Sequence, residues 1–296
     1  MSAGLAAERA ATPLPLAPAA LDALVRAALE EDHAFDDVTT RATVSESARA
    51  RARMVARADG VIAGLPVAAA AFRQLDPAVR ITVLAGDGTR VRRGDAVMEI
   101  EGPARAVLSA ERIALNFVQR LSGVATLTSR YADAVRGTRA RIYDTRKTTP
   151  GLRALEKWAV RLGGGTSHRA SLADAVLIKD NHLAAAGGDV AGAVRAARAI
   201  APAGAIVEVE CDTVAQVEAA LAGDAAPDVI LLDNMTLDQM RRCVALAGGR
   251  VHLEASGGIS LDSVRSIAET GVDRISVGAL THSAPALDVG LDFGVG

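Results

Sequence analysis

The sequence predicts an α/β fold: a six-stranded parallel sheet with crossover helices, preceded by a smaller α/β layer domain. Three observations predict it. From about residue 140 onward, a short apolar run ending on polar residues, a loop and a helix-period segment recur as one unit. Strands that alternate with helices form parallel sheets. The first 125 residues instead carry short alternating strands joined by Gly-Asp turns.

The elements follow in order. The start, MSAGLAAERAATPLPLAP, has no basic segment leading into an apolar one, so it reads as an Ala/Pro tail over residues 1–15 and not as a signal peptide. Leu21–Glu31 has the spacing of an amphipathic helix. ARARMVARADGVIAG (50–64) and VRITVLAGDGTRVRRGDAVMEIEGP (79–103) alternate as strands. Leu108–Arg136 returns to helix periodicity. Six apolar runs then mark strands: 141–145, 175–180, 205–212, 228–234, 251–258 and 274–279. Helices are predicted at Leu152–Leu162, Val190–Ile200, Val214–Ala222, Leu237–Ala247 and Leu261–Thr270. Residues 286–293 alternate again, as a strand that returns to the first domain. Six units are too few for an eight-stranded barrel; a smaller closed barrel and an open doubly wound sheet both fit.

Composition narrows the function. Half of the 296 residues are hydrophobic, which provides for a sizeable core, and the formal net charge of -2 argues against a nucleic-acid or anionic-membrane partner. No apolar run reaches the roughly 18 residues of a membrane span. Two cysteines, Cys211 and Cys243, lack metal-type spacing and read as reduced core thiols of a cytoplasmic protein. Of the 33 basic residues only Lys147, Lys157 and Lys179 are lysine. A lysine kept against that bias points to a need for its compact ammonium.

In parallel α/β folds ligands sit at the carboxyl ends of the strands. All six ends here are polar. They carry Asp144 with Arg146 and Lys147, Lys179 with Asp180, Asn181 and His182, Glu210 with Asp212, Asp233 with Asn234, Glu254 with Ser256-Gly257-Gly258, and Ser276 with Gly278; Arg169 and His168 follow the first helix. Four or five cations suit a polyanionic ligand, because guanidinium grips carboxylate or phosphate in a fork. The glycine-rich ends suit a phosphate. Glu210 and Asp233 suit Mg²⁺ beside that phosphate, or an ion pair with Arg169 or Lys179. His33 and His252 lack partners in sequence and read as surface or core residues; His182 and His282 stay undecided.

Several long motifs go further. EGPARAVLSAERIALNFVQRLSGVAT, DTRKTTPGLRALEKWAVRLGGGTSHR, LIKDNH, VEVE, LLDN, EASGG and VGALTHS resemble the quinolinate phosphoribosyltransferase family over about residues 20 to 293. The resemblance implies transfer of phosphoribosyl from phosphoribosyl pyrophosphate to quinolinate, with loss of CO₂ and pyrophosphate, giving nicotinate mononucleotide for NAD synthesis. It implies an N-terminal α/β sandwich over 16–128, joined by 284–296, and a six-stranded incomplete α/β barrel over 129–283. By motif position, Thr145, Arg146, Lys147, His168, Arg169 and Lys179 would hold quinolinate, with Arg112 entering from the partner of a homodimer or a higher assembly of dimers. Ser256, Gly257, Gly258, Val277, Gly278 and Ala279 would bind the phosphate of phosphoribosyl pyrophosphate. Glu210 and Asp233 would lie by the ribose and Mg²⁺. Lys147, Lys179, Glu210 and Asp233 would carry the catalysis. Asp36, Ser167 and Trp158 depart from the family's usual residues.

Rival readings are weaker. A Schiff-base lyase using Lys147 or Lys179 has no use for five cations. A related molybdenum-transport protein would share DTRKT without the full LIKDNH and VEVE set. A biotinyl or lipoyl carrier hairpin at 86–103 fails, because no lysine lies in the first 146 residues.

Overall fold

The computed structural model describes residues 12–222 and 225–295, so most of the expected 1–15 tail lies outside the described residues. In chain order the strands are β1 (Arg49–Ala56), β2 (Gly60–Val61), β3 (Arg80–Val83), β4 (Arg90–Val91), β5 (Ala96–Pro103), β6 (Arg141–Tyr143), β7 (Val176–Ile178), β8 (Val207–Cys211), β9 (Val229–Asp233), β10 (His252–Ser256), β11 (Arg274–Ser276) and β12 (Val289–Val295). The chain divides into two compact units: residues 1–129, 149–164 and 280–296, and residues 130–148 and 165–279.

The first unit is built on an antiparallel sheet in the order β12-β1-β5-β3. Strand β1 shows why. Its sequence RARARMVA alternates, so Ala50, Ala52 and Met54 are buried while Arg49, Arg51 and Arg53 face out. Arg53 lies opposite Glu99 of β5, and both Arg51 and Arg53 pair with that carboxylate. The tail strand pairs antiparallel with β1, as the alternation of 286–293 predicts. Helices Pro18–Glu31, Leu65–Leu75 and the 31-residue Ala104–Ala134 complete the elements expected or newly seen there. Leu65–Leu75 was not predicted. Gly64 and Pro66 read as breaks, but proline at the first turn starts a helix without costing a hydrogen bond. Asp87 accepts the Leu65 N–H at 3.1 Å and completes that start.

The domain boundary differs from the expected one at 149–164. This segment belongs to the first unit, not to the barrel. Its helix, Arg153–Leu162, buries Leu155 through Val160 and Leu162. Within them Glu156, fully buried, accepts from Arg120 Nη2 at 2.6 Å and from Thr149 Oγ1 at 2.8 Å. At Gly163 an added Cβ would lie 2.4 Å from the Ala125 carbonyl oxygen. Trp158, one of the departures from the family pattern, donates its indole N–H to Thr12.

The second unit is the six-stranded parallel sheet, in the order β6-β11-β10-β9-β8-β7. Helices Val190–Ile200, Val214–Ala222, Leu237–Ala247 and Val264–Ala268 connect successive strands. Strands β8 and β9 are buried almost throughout, the mark of a sheet covered on both faces. The outermost strands, β6 and β7, are not paired with each other. Residues from the ends of both nevertheless line one cavity, so the sheet rolls into an incomplete barrel and decides between the two architectures the spacing left open.

Candidate active site

The cavity at the carboxyl ends of the strands has a volume of about 220 Å³. Asp144, Thr145, Arg146 and Lys147 reach it from β6, Leu177 and Lys179 from β7, Leu231 from β9, Glu254 and Ser256 from β10, and Ser276 from β11; His168 and Arg169 come from the loop before β7. Seven of the residues expected in the site, Thr145, Arg146, Lys147, His168, Arg169, Lys179 and Ser256, are therefore brought together. Glu210 joins them through Lys179, whose Nζ lies 2.6 Å from Glu210 Oε2.

The chain itself anchors one of the cations. Arg169 donates through Nη1 to the Ala175 carbonyl. Burial first, and the charge of Arg146 second, hold the Arg169 guanidinium below its usual pKa. Two like charges forced this close await an anion. The fully buried Asp144 accepts the His168 N–H at 2.8 Å and so fixes the loop that carries both His168 and Arg169.

A second group of acids, Glu210, Asp212 and Asp233, has carboxylate oxygens that lie within 4.8 Å of one another. Three hard oxygen donors at that spacing fit a divalent cation of the Mg²⁺ type. Asp233 accepts from the Asn234 side-chain amide at 2.6 Å. Asn234 sits in the left-handed region at φ 52°, and its N–H donates to Ser256. It thereby ties the end of β9 to the loop after β10. Gly257, at φ +94°, allows this: a Cβ there would lie 2.1 Å from Asn234 Oδ1.

Some expected residues fall elsewhere. Val277 is buried, and its N–H is taken by the Tyr143 carbonyl, so it has no amide to offer a phosphate. Ala279 opens a short helix, Ala279–His282. Arg112 is exposed on the long helix of the first unit. His182, undecided from sequence, accepts the Lys179 N–H at 3.0 Å and caps the helix Asp180–Ala185. His282 is exposed beside the Ser283 hydroxyl, and exposed His252 stands 3.7 Å from Asp273. Asp36, a departure from the family pattern, is exposed 3.7 Å from Arg41, while its neighbour Asp37 caps Val38–Thr43 and also accepts from Ser109.

Sequence reasoning placed Glu254 at a strand end without giving it a role, and missed Glu208. Both are buried, at 2% and 0% exposure, on the inner face of the barrel. Glu208 Oε2 lies 2.9 Å from His168 Nε2, and Glu254 Oε1 lies 3.7 Å from it. The signal was present in VEVE and HLEAS: a glutamate at the centre of an otherwise buried strand, two residues from a site residue and so on the same face. Burial first and the charge of Glu208 second push the Glu254 carboxyl up to about 7.

Comparison with known proteins follows the same outline. Residues 124–292 match the family model for the quinolinate phosphoribosyl transferase C-terminal domain, and residues 37–122 match the one for its N-terminal domain. The chain is 47% identical to the nicotinate-nucleotide pyrophosphorylase [carboxylating] of Mycobacterium leprae over 275 residues, 91% of this chain and 95% of that protein. It is 42% identical to the probable nicotinate-nucleotide pyrophosphorylase [carboxylating] of Bacillus subtilis, over 88% of this chain and 89% of the other. Among solved structures, the nicotinate-nucleotide pyrophosphorylase of Francisella tularensis superposes with a TM-score of 0.87 at 37% identity, covering 95% of this chain and 99% of that one.

Proposed function

Because the chain belongs to the quinolinate phosphoribosyltransferase family, we propose that its cationic cavity binds quinolinate and that its rim carries the family's reaction. The protein transfers phosphoribosyl from phosphoribosyl pyrophosphate to quinolinate with decarboxylation, giving nicotinate mononucleotide, pyrophosphate and CO₂. One observation carries the site assignment: Arg146, Lys147, Arg169 and Lys179 converge on one small cavity. Charge-assisted hydrogen bonds contribute roughly 1.5–3 kcal/mol each, so four of them outweigh the desolvation of two carboxylates where one or two would not.

The chemistry follows from that placement. The four cations hold both carboxylates and aim the ring nitrogen at the anomeric carbon. As the nitrogen attacks and pyrophosphate leaves, positive charge spreads over the ribose, where Glu210 and Asp233 stabilise it. Ser256, Gly257, Gly258 and Gly278 cradle the 5′-phosphate. Lys179 starts paired with Glu210, and substrate replaces that pair with one between Lys179 and a carboxylate. Glu210, Asp212 and Asp233 would hold Mg²⁺, which neutralises pyrophosphate charge when bound. Once alkylated, the ring nitrogen accepts the electron pair left when the 2-carboxylate departs.

The direct test is to incubate the protein with quinolinate, phosphoribosyl pyrophosphate and Mg²⁺ and to assay nicotinate mononucleotide and CO₂. Nicotinic acid serving equally well in place of quinolinate would overturn the dicarboxylate site. The protein works as a cytoplasmic homodimer in which Arg112 completes the partner's site. Mixing inactive Arg112→Ala with inactive Lys147→Ala then restores part of the activity; hybrids without recovery would rule out a shared site.

A further inference from the structure

We propose that Glu254 is the acid that delivers a proton to ring carbon C2 as the 2-carboxylate leaves. The proposal rests on the decarboxylating reaction above and assigns a step which that reaction leaves without a residue. Loss of CO₂ breaks the C2–carboxylate bond and leaves its electron pair on C2. That carbon must gain a proton to become the C–H of the product.

The cavity offers few donors. Arginine does not give up its protons in proteins, which removes Arg146 and Arg169. Lys147 and Lys179 line the cavity too, but in the reaction above their ammonium groups hold the substrate carboxylates, and giving up a proton would cost that grip. His168 is committed at both nitrogens: Nδ1 accepts the Arg169 N–H at 2.9 Å, which places the ring proton on Nε2, facing Glu208 at 2.9 Å. Glu254 is different. It lines the cavity, is fully buried, and neither of its oxygens has a hydrogen-bond partner among the described residues. A buried carboxylate left in that state is costly, whereas the neutral acid is not.

The groups that face Glu254 set its charge. Glu208, across the sheet on β8, bonds to His168 and its charge bears on Glu254. His168, the Ser276 hydroxyl and Arg274, beside Glu254 on β11, favour the ionised form of Glu254, but burial and Glu208 outweigh them. With the carboxyl near 7, a substantial share of the proton is retained at neutral pH and is still transferable, the condition for a general acid. In the step, the Glu254 O–H bond breaks, its electron pair stays on oxygen, and the C2–H bond forms as CO₂ departs. Water returns the proton to Glu254 before the next turnover.

Single-turnover measurements on E254Q separate the two halves of the reaction. The amide keeps the shape and the neutral charge but has no acidic proton. Pyrophosphate release is expected to stay within a few-fold of wild type, CO₂ release to slow by about 10²-fold or more, and quinolinate mononucleotide to accumulate. In the wild-type protein, which needs no substitution to fold, CO₂ release is expected to be slower in D₂O than in H₂O and to decline as pH rises through about 7. The proposal is overturned if CO₂ keeps pace with pyrophosphate in E254Q, if both fall together, or if the wild type shows no solvent isotope effect on CO₂ release. A wild-type protein that forms no pyrophosphate from quinolinate overturns the underlying reaction instead, and the proposal with it.

Discussion

Lys179 shows what a single residue contributes at the rim. Its ion pair with Glu210 is half exposed on the lysine side, and such pairs contribute only about 0–1 kcal/mol. A dicarboxylate can therefore break it cheaply. Lys179→Ala and Lys147→Ala are each expected to lower kcat/KM for quinolinate by at least about 10²-fold, roughly 3 kcal/mol of lost transition-state binding. Thermal melting should stay within a few degrees of wild type, since neither side chain supports the core. Wild-type turnover in either variant would remove it from the site. The scarcity of lysine pointed to three positions, and the structure separates them. Lys147 and Lys179 line the cavity; Lys157 is buried in the first unit, where the helix Arg153–Leu162 packs. Usage bias reports a constraint on a residue without saying whether the constraint is chemistry or packing. Glu208 escaped notice, and Glu254 was left without a role, for the opposite reason. A glutamate within a strand reads as solvent-facing until the roll of the sheet turns its face inward.

At the scale of elements, periodicity located the helices well: Val190–Ile200, Val214–Ala222 and Leu237–Ala247 match the predicted ranges end to end. The strands came out too long. Their terminal residues leave the ladder and turn toward the cavity, and a hydropathy pattern cannot distinguish a polar residue that extends a strand from one that ends it. Two elements carry predictions. The loop after β10 depends on Gly257, so Gly257→Ala forces a Cβ against Asn234 in a backbone conformation that alanine avoids. The expected result is a raised KM for phosphoribosyl pyrophosphate with little change in quinolinate binding, and a stability loss of about 1–3 kcal/mol in denaturant melts. The helix Arg153–Leu162 depends on Glu156. Glu156→Ala leaves Arg120 facing a buried gap and is expected to cost about 3–5 kcal/mol, the range for breaking a buried pair from one side. A loss below 1 kcal/mol would mean that solvent already screens the pair.

At the scale of the whole molecule, buried acids set the response to pH. Burial raises the Asp87 carboxyl to about 6, so the folded chain holds a proton that the unfolded chain releases near 3.8. That difference works against folding as pH climbs from about 4 to 6, and the loss stays constant above that. Asp37 acts in the other direction. Hydrogen bonds from Thr40 hold its carboxyl down, which stabilises the fold above the ordinary carboxylate range and is lost on acidification. Melting temperature is therefore expected to fall between about pH 4 and 6, and Asp87→Asn, which can still accept the Leu65 N–H, should flatten that fall and add about 1–2 kcal/mol at pH 7. An unchanged profile would show that Asp87 is ionised in the fold at no cost. One last consequence belongs to the order of the strands. In each unit an early strand pairs with one made much later: β1 with β12, and β6 with no other strand than β11. Translation at roughly 5–20 residues per second leaves β6 without its strand neighbour for many seconds, and β1, already paired with β5, without β12 for longer. Neither sheet can be completed on the ribosome until the segment 274–295 has emerged. A chain that stops before residue 274 lacks β11 and β12, and it is expected to be cut faster than the full chain in limited proteolysis.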